Sequence, residues 1–204
     1  MKIKYAFMAA FALALSGCEL AGLDLQTNTE YKFSQLDPNV NLTAWEFLNK
    51  PRPDTLFAKF IRGIKYAGLE EEYSKPNRTF IALTNGAIAG STASYWRVNK
   101  VGGKDATRWS QYPVEQVKQL FLYHITEGVY SYENIKPDNI EVTTLAADAT
   151  KNKMYLKVSN DRDMKIRIND IFNGVKLVIP QTNNIRATNG VVHVSGNYAI
   201  FGVK

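Results

Sequence analysis

The sequence holds 204 residues, with 25 Lys and Arg against 19 Asp and Glu, a formal charge of +6 that is too modest to name a partner. The basic residues are spread singly, as at Arg52, Lys59, Arg62, Lys65, Arg78, Arg97, Lys100, Lys104 and Arg108. They read as a solvated surface, and with no nucleic-acid motif no nucleic-acid partner is expected. The one cysteine, Cys18, excludes an intramolecular disulfide.

Lys2 and Lys4 form a basic start, and residues 5–15 are an uncharged, mostly apolar run too short for a membrane-spanning helix. The run ends in Leu15-Ser16-Gly17-Cys18, which resembles a bacterial lipoprotein box: small residues admit the peptidase, and the thiol accepts the diacylglycerol. Residues 1–17 are therefore expected to be a lipoprotein signal peptide, with Cys18 as the lipidated first residue of the mature chain. Its removal takes Lys2 and Lys4, two of the net positive charges. Resemblance to triacylated lipoproteins implies a stable membrane anchor and a bacterial cell envelope location, the outer membrane ahead of the inner.

Residues 18–40 have little periodicity and read as a tether, which leaves 41–204 for one domain. A short helix is expected at 42–48, ended by Pro51-Arg52-Pro53. Asp54 is a good N-cap for a second helix, whose apolar positions Leu56, Phe57, Phe60, Ile61, Ile64 and Ala67 recur at helical spacing up to the stop at Gly68. Residues 69–73 suggest a further turn.

Thr79-Phe80-Ile81-Ala82-Leu83-Thr84-Asn85 is a short apolar run ending in a helix-capping pair, followed by the small residues 86–90, a weak helix former. Residues 91–111 show no strand alternation, and Gly102-Gly103 marks an exposed tip. Here Tyr95, Trp96, Trp109 and Tyr112 lie near Arg97, Lys100, Lys104 and Arg108. Two readings stand for these rings: they cover the core beneath a helical layer, or they stack on sugars while basic groups bond the hydroxyls.

Pro113 opens a helix with Val114, Val117, Leu120 and Phe121 as its apolar stripe, ending at Leu122-Tyr123-His124-Ile125. Beyond it the chain is strand-like, with candidates at 128–132, 141–145, 153–159, 165–169, 175–179, 191–195 and 198–201. Asn173-Gly174 signals a hairpin, and Asp161-Arg162-Asp163 reads as a solvated loop rather than a calcium site. Asn189-Gly190 reads as a tight turn feeding the buried strand Val191-Val192-His193-Val194. Helices first and strands second means α+β.

Three of these landmarks carry a resemblance to the fasciclin-like domain family, over about residues 54–203. The first retains Thr79, Ala82, Thr84 and Asn85 of Thr-Val-Phe-Ala-Pro-Thr-Asn, with Leu83 in place of Pro. The second is Leu122-Tyr123-His124-Ile125 followed by Gly128. The third runs from Asn184 through Ala187-Thr188-Asn189-Gly190 to His193-Val194, with Asn184 where the family usually has Asp. The resemblance implies a single wedge-shaped β-sandwich with a helical layer packed on it, and an adhesion or interaction role with a protein or glycan partner at the envelope. It also implies structural roles for Thr84, Asn85, Tyr123, His124, Asn189, Gly190 and His193.

Catalytic chemistry finds little purchase. His124 and His193 are the only histidines, and there is no second cysteine, nucleophile elbow, phosphate loop or dinucleotide fingerprint. The expectation is a non-catalytic protein with no metal and no cofactor, and with a glycan-binding accessory as the alternative function.

Overall fold

The computed structural model describes residues 37–51, 56–171 and 176–201. The expected signal peptide, Cys18, most of the tether, Asp54 and Asn173-Gly174 lie outside the described residues.

Helix α1 (Ala44–Asn49) starts at a reciprocal cap. The Thr43 hydroxyl accepts from the Glu46 amide, and the Glu46 carboxylate accepts from the Thr43 amide at 2.8 Å. Helix α2 (Ala58–Ala67) buries Phe60, Gly63, Ile64 and Ala67 and stops at Gly68, whose φ of 65° is left-handed. Phe57, just before α2, offers it no side-chain cap. A cap comes instead from another element: the Asn85 side-chain oxygen accepts from the Lys59 amide at 2.8 Å. Residues 69–74 form turns, as in Glu72 N–H to Leu69 O.

Strand β1 (Arg78–Leu83) is followed by α3 (Asn85–Ala89), capped by Thr84. Residues 91–111, without strand alternation, hold α4 (Tyr95–Val98), a hairpin in which Val101 and Lys104 exchange backbone bonds across the exposed Gly102-Gly103, and a 3-10 turn at Trp109–Gln111. Helix α5 (Val114–Tyr123) begins one residue after Pro113. It buries Val117, Leu120, Phe121 and Tyr123; Val114, expected on its apolar stripe, is the first residue of the helix and is 48% exposed.

Two sheets follow. The first has the order β2-β1-β7-β6, with β2 at Ile125–Glu127, β6 at Thr182–Ala187 and β7 at Gly190–Ser195. β1 and β7 run parallel from Arg78 opposite Gly190 to Leu83 opposite Ser195; β2 and β6 are antiparallel edges. β1 and β7 are central and covered on both faces, so both are continuously buried, which is why they read as apolar runs rather than as alternation. The second sheet is β3 (Ile140–Thr143), β4 (Lys153–Val158) and β5 (Ile166–Ile168), antiparallel throughout, with the alternating burial of a half-solvated sheet. The molecule is thus α+β, helices packed with two sheets.

Three expected strands are not strands. In 128–132 three backbone donors turn to side chains: Tyr130 N–H goes to Thr79 Oγ1, Ser131 N–H to Asn134 and Tyr132 N–H to Asn184. In the described part of 175–179 only Val178 pairs, in a single two-way bridge with Ile168, before Pro180. In 198–201 the Ala199 amide is drawn to the His124 ring. Conversely, β6 lies across a stretch where no strand was expected. Its polar sequence and the register shift between Thr182 and Ile185 hide it. Its outer edge is covered by residues 38–42, through Val40 N–H to Arg186 O, Arg186 N–H to Pro38 O and Thr188 N–H to Leu42 O.

Candidate functional site

The Asn189-Gly190 corner ties the domain's entry to its central strand. Asn189 accepts from the Ala44 amide at 2.7 Å and donates to the Tyr73 and Lys75 carbonyls at 3.0 Å each. One amide side chain thus joins α1, the turn before β1, and β7. Gly190 is required by close approach: a Cβ there would lie 1.9 Å from the Arg78 carbonyl oxygen of β1. Asn189 has no positive φ, whereas Asn184, at the β6 irregularity, is left-handed with φ 63°. Asparagine tolerates that conformation, and its side chain accepts from Tyr132.

The two histidines are fully buried and bonded at both nitrogens. His124, at the end of α5, meets the Leu120 carbonyl with Nδ1 at 2.8 Å and accepts from the Ala199 amide with Nε2 at 2.9 Å. Its backbone carbonyl also accepts from Ile81 of β1. His193, in β7, accepts from the Asn184 amide with Nδ1 at 3.2 Å and meets the Tyr130 carbonyl with Nε2 at 2.9 Å. Burial lowers both to a pKa of about 4, so both are neutral at pH 7.

Tyr123 does not bond His124; the rings meet edge to face at 5.9 Å. Its hydroxyl donates to the Lys153 carbonyl and accepts from Asn169, locking α5 to the second sheet, and burial pushes it up to about 12. Thr84 and Asn85 are likewise occupied as helix caps. All these side chains are committed to the scaffold, and none of them presents a free acid, base or nucleophile. Among the described residues there is no group of His, Cys, Asp and Glu able to hold a metal, and no helix long and apolar enough to cross a membrane.

Tyr95, Trp96, Trp109 and Tyr112 come together, but not as a stacking platform for sugars. Each is only 5% exposed. Trp96 and Trp109 meet edge to face at 5.4 Å, Tyr95 lies 5.5 Å from Tyr112, and Trp109 abuts Phe121 at 5.3 Å. Trp109 donates its indole N–H to the Lys59 carbonyl at 2.7 Å. Gly63 makes the room: a Cβ there would lie 2.4 Å from the Phe121 ring and 2.8 Å from the Trp109 ring. The rings pack on one another beside α2, in the space that Gly63 leaves.

The outer margin of this cluster walls a groove of about 540 Å3. Arg62 and Lys65, one turn apart on α2, stand on one side with Tyr66; Arg108 precedes the 3-10 turn on the other, with Trp96 and Trp109 between. Among the described residues, no acidic side chain lines it. None of the ion pairs among the described residues engages Arg62, Lys65 or Arg108. The sequence shows the Arg62–Lys65 spacing, but Arg108 reaches them only through the fold, which is why these residues read as scattered surface charge.

The fasciclin domain family profile matches residues 55–195. The chain belongs to the fasciclin domain family. That family is associated with cell adhesion, and its domains are generally non-catalytic adhesion modules. A solved FAS1 domain pair from the insect cell adhesion molecule fasciclin I has the same fold, at a TM-score of 0.54 and 12% identity. The alignment covers 78% of this chain and 51% of that one, so the chain spans about half of that two-domain relative.

Proposed function

We propose that this fasciclin domain is a non-catalytic adhesion or interaction module, held at a bacterial cell envelope by lipid on Cys18, on the outer membrane in preference to the inner. The observation that carries the adhesion reading is the fasciclin match over residues 55–195, in a domain whose motif side chains are consumed by the scaffold. Support for the anchor comes from Leu15-Ser16-Gly17-Cys18, which follows a basic start and an apolar run. A lipid on Cys18 would leave the folded domain, residues 37 onward, free to meet a protein or glycan partner.

Cys18→Ser tests the anchor. With the acceptor thiol gone, labelling by radioactive palmitate should vanish and the protein should leave the membrane fraction. Adhesion is read separately, by comparing cell aggregation or surface attachment with the wild type, with Cys18→Ser and without the protein. Unlabelled wild type that still sediments with membranes would remove the lipid anchor. Attachment that is identical in all three strains would remove the adhesion reading.

A further inference from the structure

We propose that the groove between α2 and the 3-10 turn binds an acidic polysaccharide, with sugar carboxylates or sulfates on Arg62, Lys65 and Arg108. This rests on the adhesion reading only in taking the groove as the adhesive surface. Binding in solution is measured apart from anchoring.

Charge is the first ground. The three cations come from positions up to 46 apart in sequence, yet they line one concavity without a carboxylate among them. Elsewhere in the described residues Lys75, Arg78, Lys151, Lys153, Lys157, Lys165, Arg167 and Arg186 are ion-paired, while Lys50, Lys136 and Arg162 are exposed and unpaired but line no groove with other cations. Asp105, the acid nearest Arg108 in sequence, does not line the groove. Converging cations left without counter-charges repel one another, and an anionic ligand relieves that repulsion. Arginine guanidinium matches a carboxylate or sulfate with two parallel bonds.

Shape and wall chemistry select the kind of anion. About 540 Å3 is within the range of ligand sites, and it seats one or two sugar rings of a chain. The walls offer the margins of rigidly packed indoles and the hydroxyls of Thr107, Ser110 and Tyr66. Tyr66 donates to the Tyr112 carbonyl, so its oxygen remains able to accept from a sugar hydroxyl. The indole faces are closed, which removes the stacking that neutral sugars and nucleobases require. Recognition therefore falls to charge. A membrane surface fits less well: none of the exposed large hydrophobic residues, such as Leu56, Val98 and Val114, lines the groove to insert into lipid.

The test uses the purified full chain with polygalacturonate, dextran sulfate, neutral dextran, and vesicles of phosphatidylglycerol. The two acidic polymers should bind, with affinity falling steeply as salt rises from about 0.05 to about 0.5 M; neutral dextran and the vesicles should not. Arg62→Gln, Lys65→Gln and Arg108→Gln together should weaken binding by roughly tenfold or more without lowering the melting temperature. A control variant removes equal charge from exposed, unpaired sites: Lys50→Gln, Lys136→Gln and Arg162→Gln. It should bind like the wild type. Equal loss in the two triple variants would reduce the effect to net charge and overturn the proposal. So would binding to the vesicles but not the polymers, equal binding of neutral dextran, or no binding of either acidic polymer. None of these outcomes touches the palmitate result at Cys18.

Discussion

His124 and His193 are held in opposite tautomers. A backbone N–H can only donate, so the Ala199 amide requires a lone pair on Nε2 of His124, and the Asn184 amide requires one on Nδ1 of His193. The protons therefore sit on Nδ1 of His124, facing the Leu120 carbonyl, and on Nε2 of His193, facing Tyr130. Protonating either ring would set a new N–H against an existing N–H in a buried site.

The first prediction follows from that conflict. Both groups titrate near pH 4 in the folded protein, against 6.5 for an ordinary histidine. Between those values the unfolded chain binds more protons. Their contribution is thus complete above about pH 6.5, declines as the pH falls, and is exhausted below about pH 4. It amounts to on the order of 3 kcal/mol for each ring across that window. Urea melts from pH 8 to pH 4 should show stability falling below about pH 6.5 with a slope approaching two protons. His124→Ala and His193→Ala should each remove about one proton from the slope, and each should cost about 1–3 kcal/mol at pH 7 through orphaned backbone groups. A slope unchanged in both variants would assign the acid sensitivity to carboxylates instead.

The Asn189 knot separates shape from hydrogen-bond polarity. Asn189→Ala should cost about 1–3 kcal/mol for each of the buried groups it leaves unpaired, at Ala44 and Tyr73, and less for the part-buried Lys75 carbonyl. Asn189→Asp keeps the shape but sets a carboxylate against two carbonyls, so it should be the worse of the two. Chemical denaturation of the pair ranks them; a milder Asp variant would mean that the donations to Tyr73 and Lys75 contribute little.

How much of this was legible in the sequence depended on where each hydrogen bond goes. α2 and α5 were readable because their burial follows a 3.6-residue period that one chain segment contains entirely. β1 and β7 were readable as apolar runs. β6 was not, because a polar edge strand with a register shift carries neither signal. The false strands at 128–132 and 198–201 had strand-like residues, but distant side chains, Thr79 and His124, captured their amides. The motif residues were legible as a resemblance. Asn85 capping a helix that begins 27 positions earlier in the chain, and Arg108 meeting Arg62, exist only after folding.

Two glycine-to-alanine changes should differ in size because their causes differ. At Gly68 a Cβ meets nothing within 4 Å, so the cost is that of a left-handed backbone, about 1–2 kcal/mol. At Gly190 the Cβ would lie 1.9 Å from Arg78 O, so the parallel β1–β7 pair must separate at its start. That should exceed the Gly68 cost and should accelerate hydrogen exchange at the Arg78 end of β1. Equal costs with unchanged exchange would show that the strands accommodate the methyl.

The last prediction sets one substitution against itself at two sites. Tyr73 is fully buried, its ring stacked on Phe80 at 5.3 Å and edge-on to Phe60 at 5.8 Å, while its hydroxyl has no hydrogen-bond partner among the described residues. Folding therefore strips that hydroxyl of water without replacement, and burial drives its pKa upward. Tyr73→Phe keeps both ring contacts and removes the unsatisfied group, so it should stabilise the protein, by about 1 kcal/mol or more. Tyr123→Phe removes a hydroxyl that serves both Lys153 O and Asn169 Nδ2, so it should destabilise by about 1–3 kcal/mol. The two melts, run side by side at pH 7, should move in opposite directions. A destabilised Tyr73→Phe variant would mean that a partner, such as an ordered water, satisfies that hydroxyl in solution.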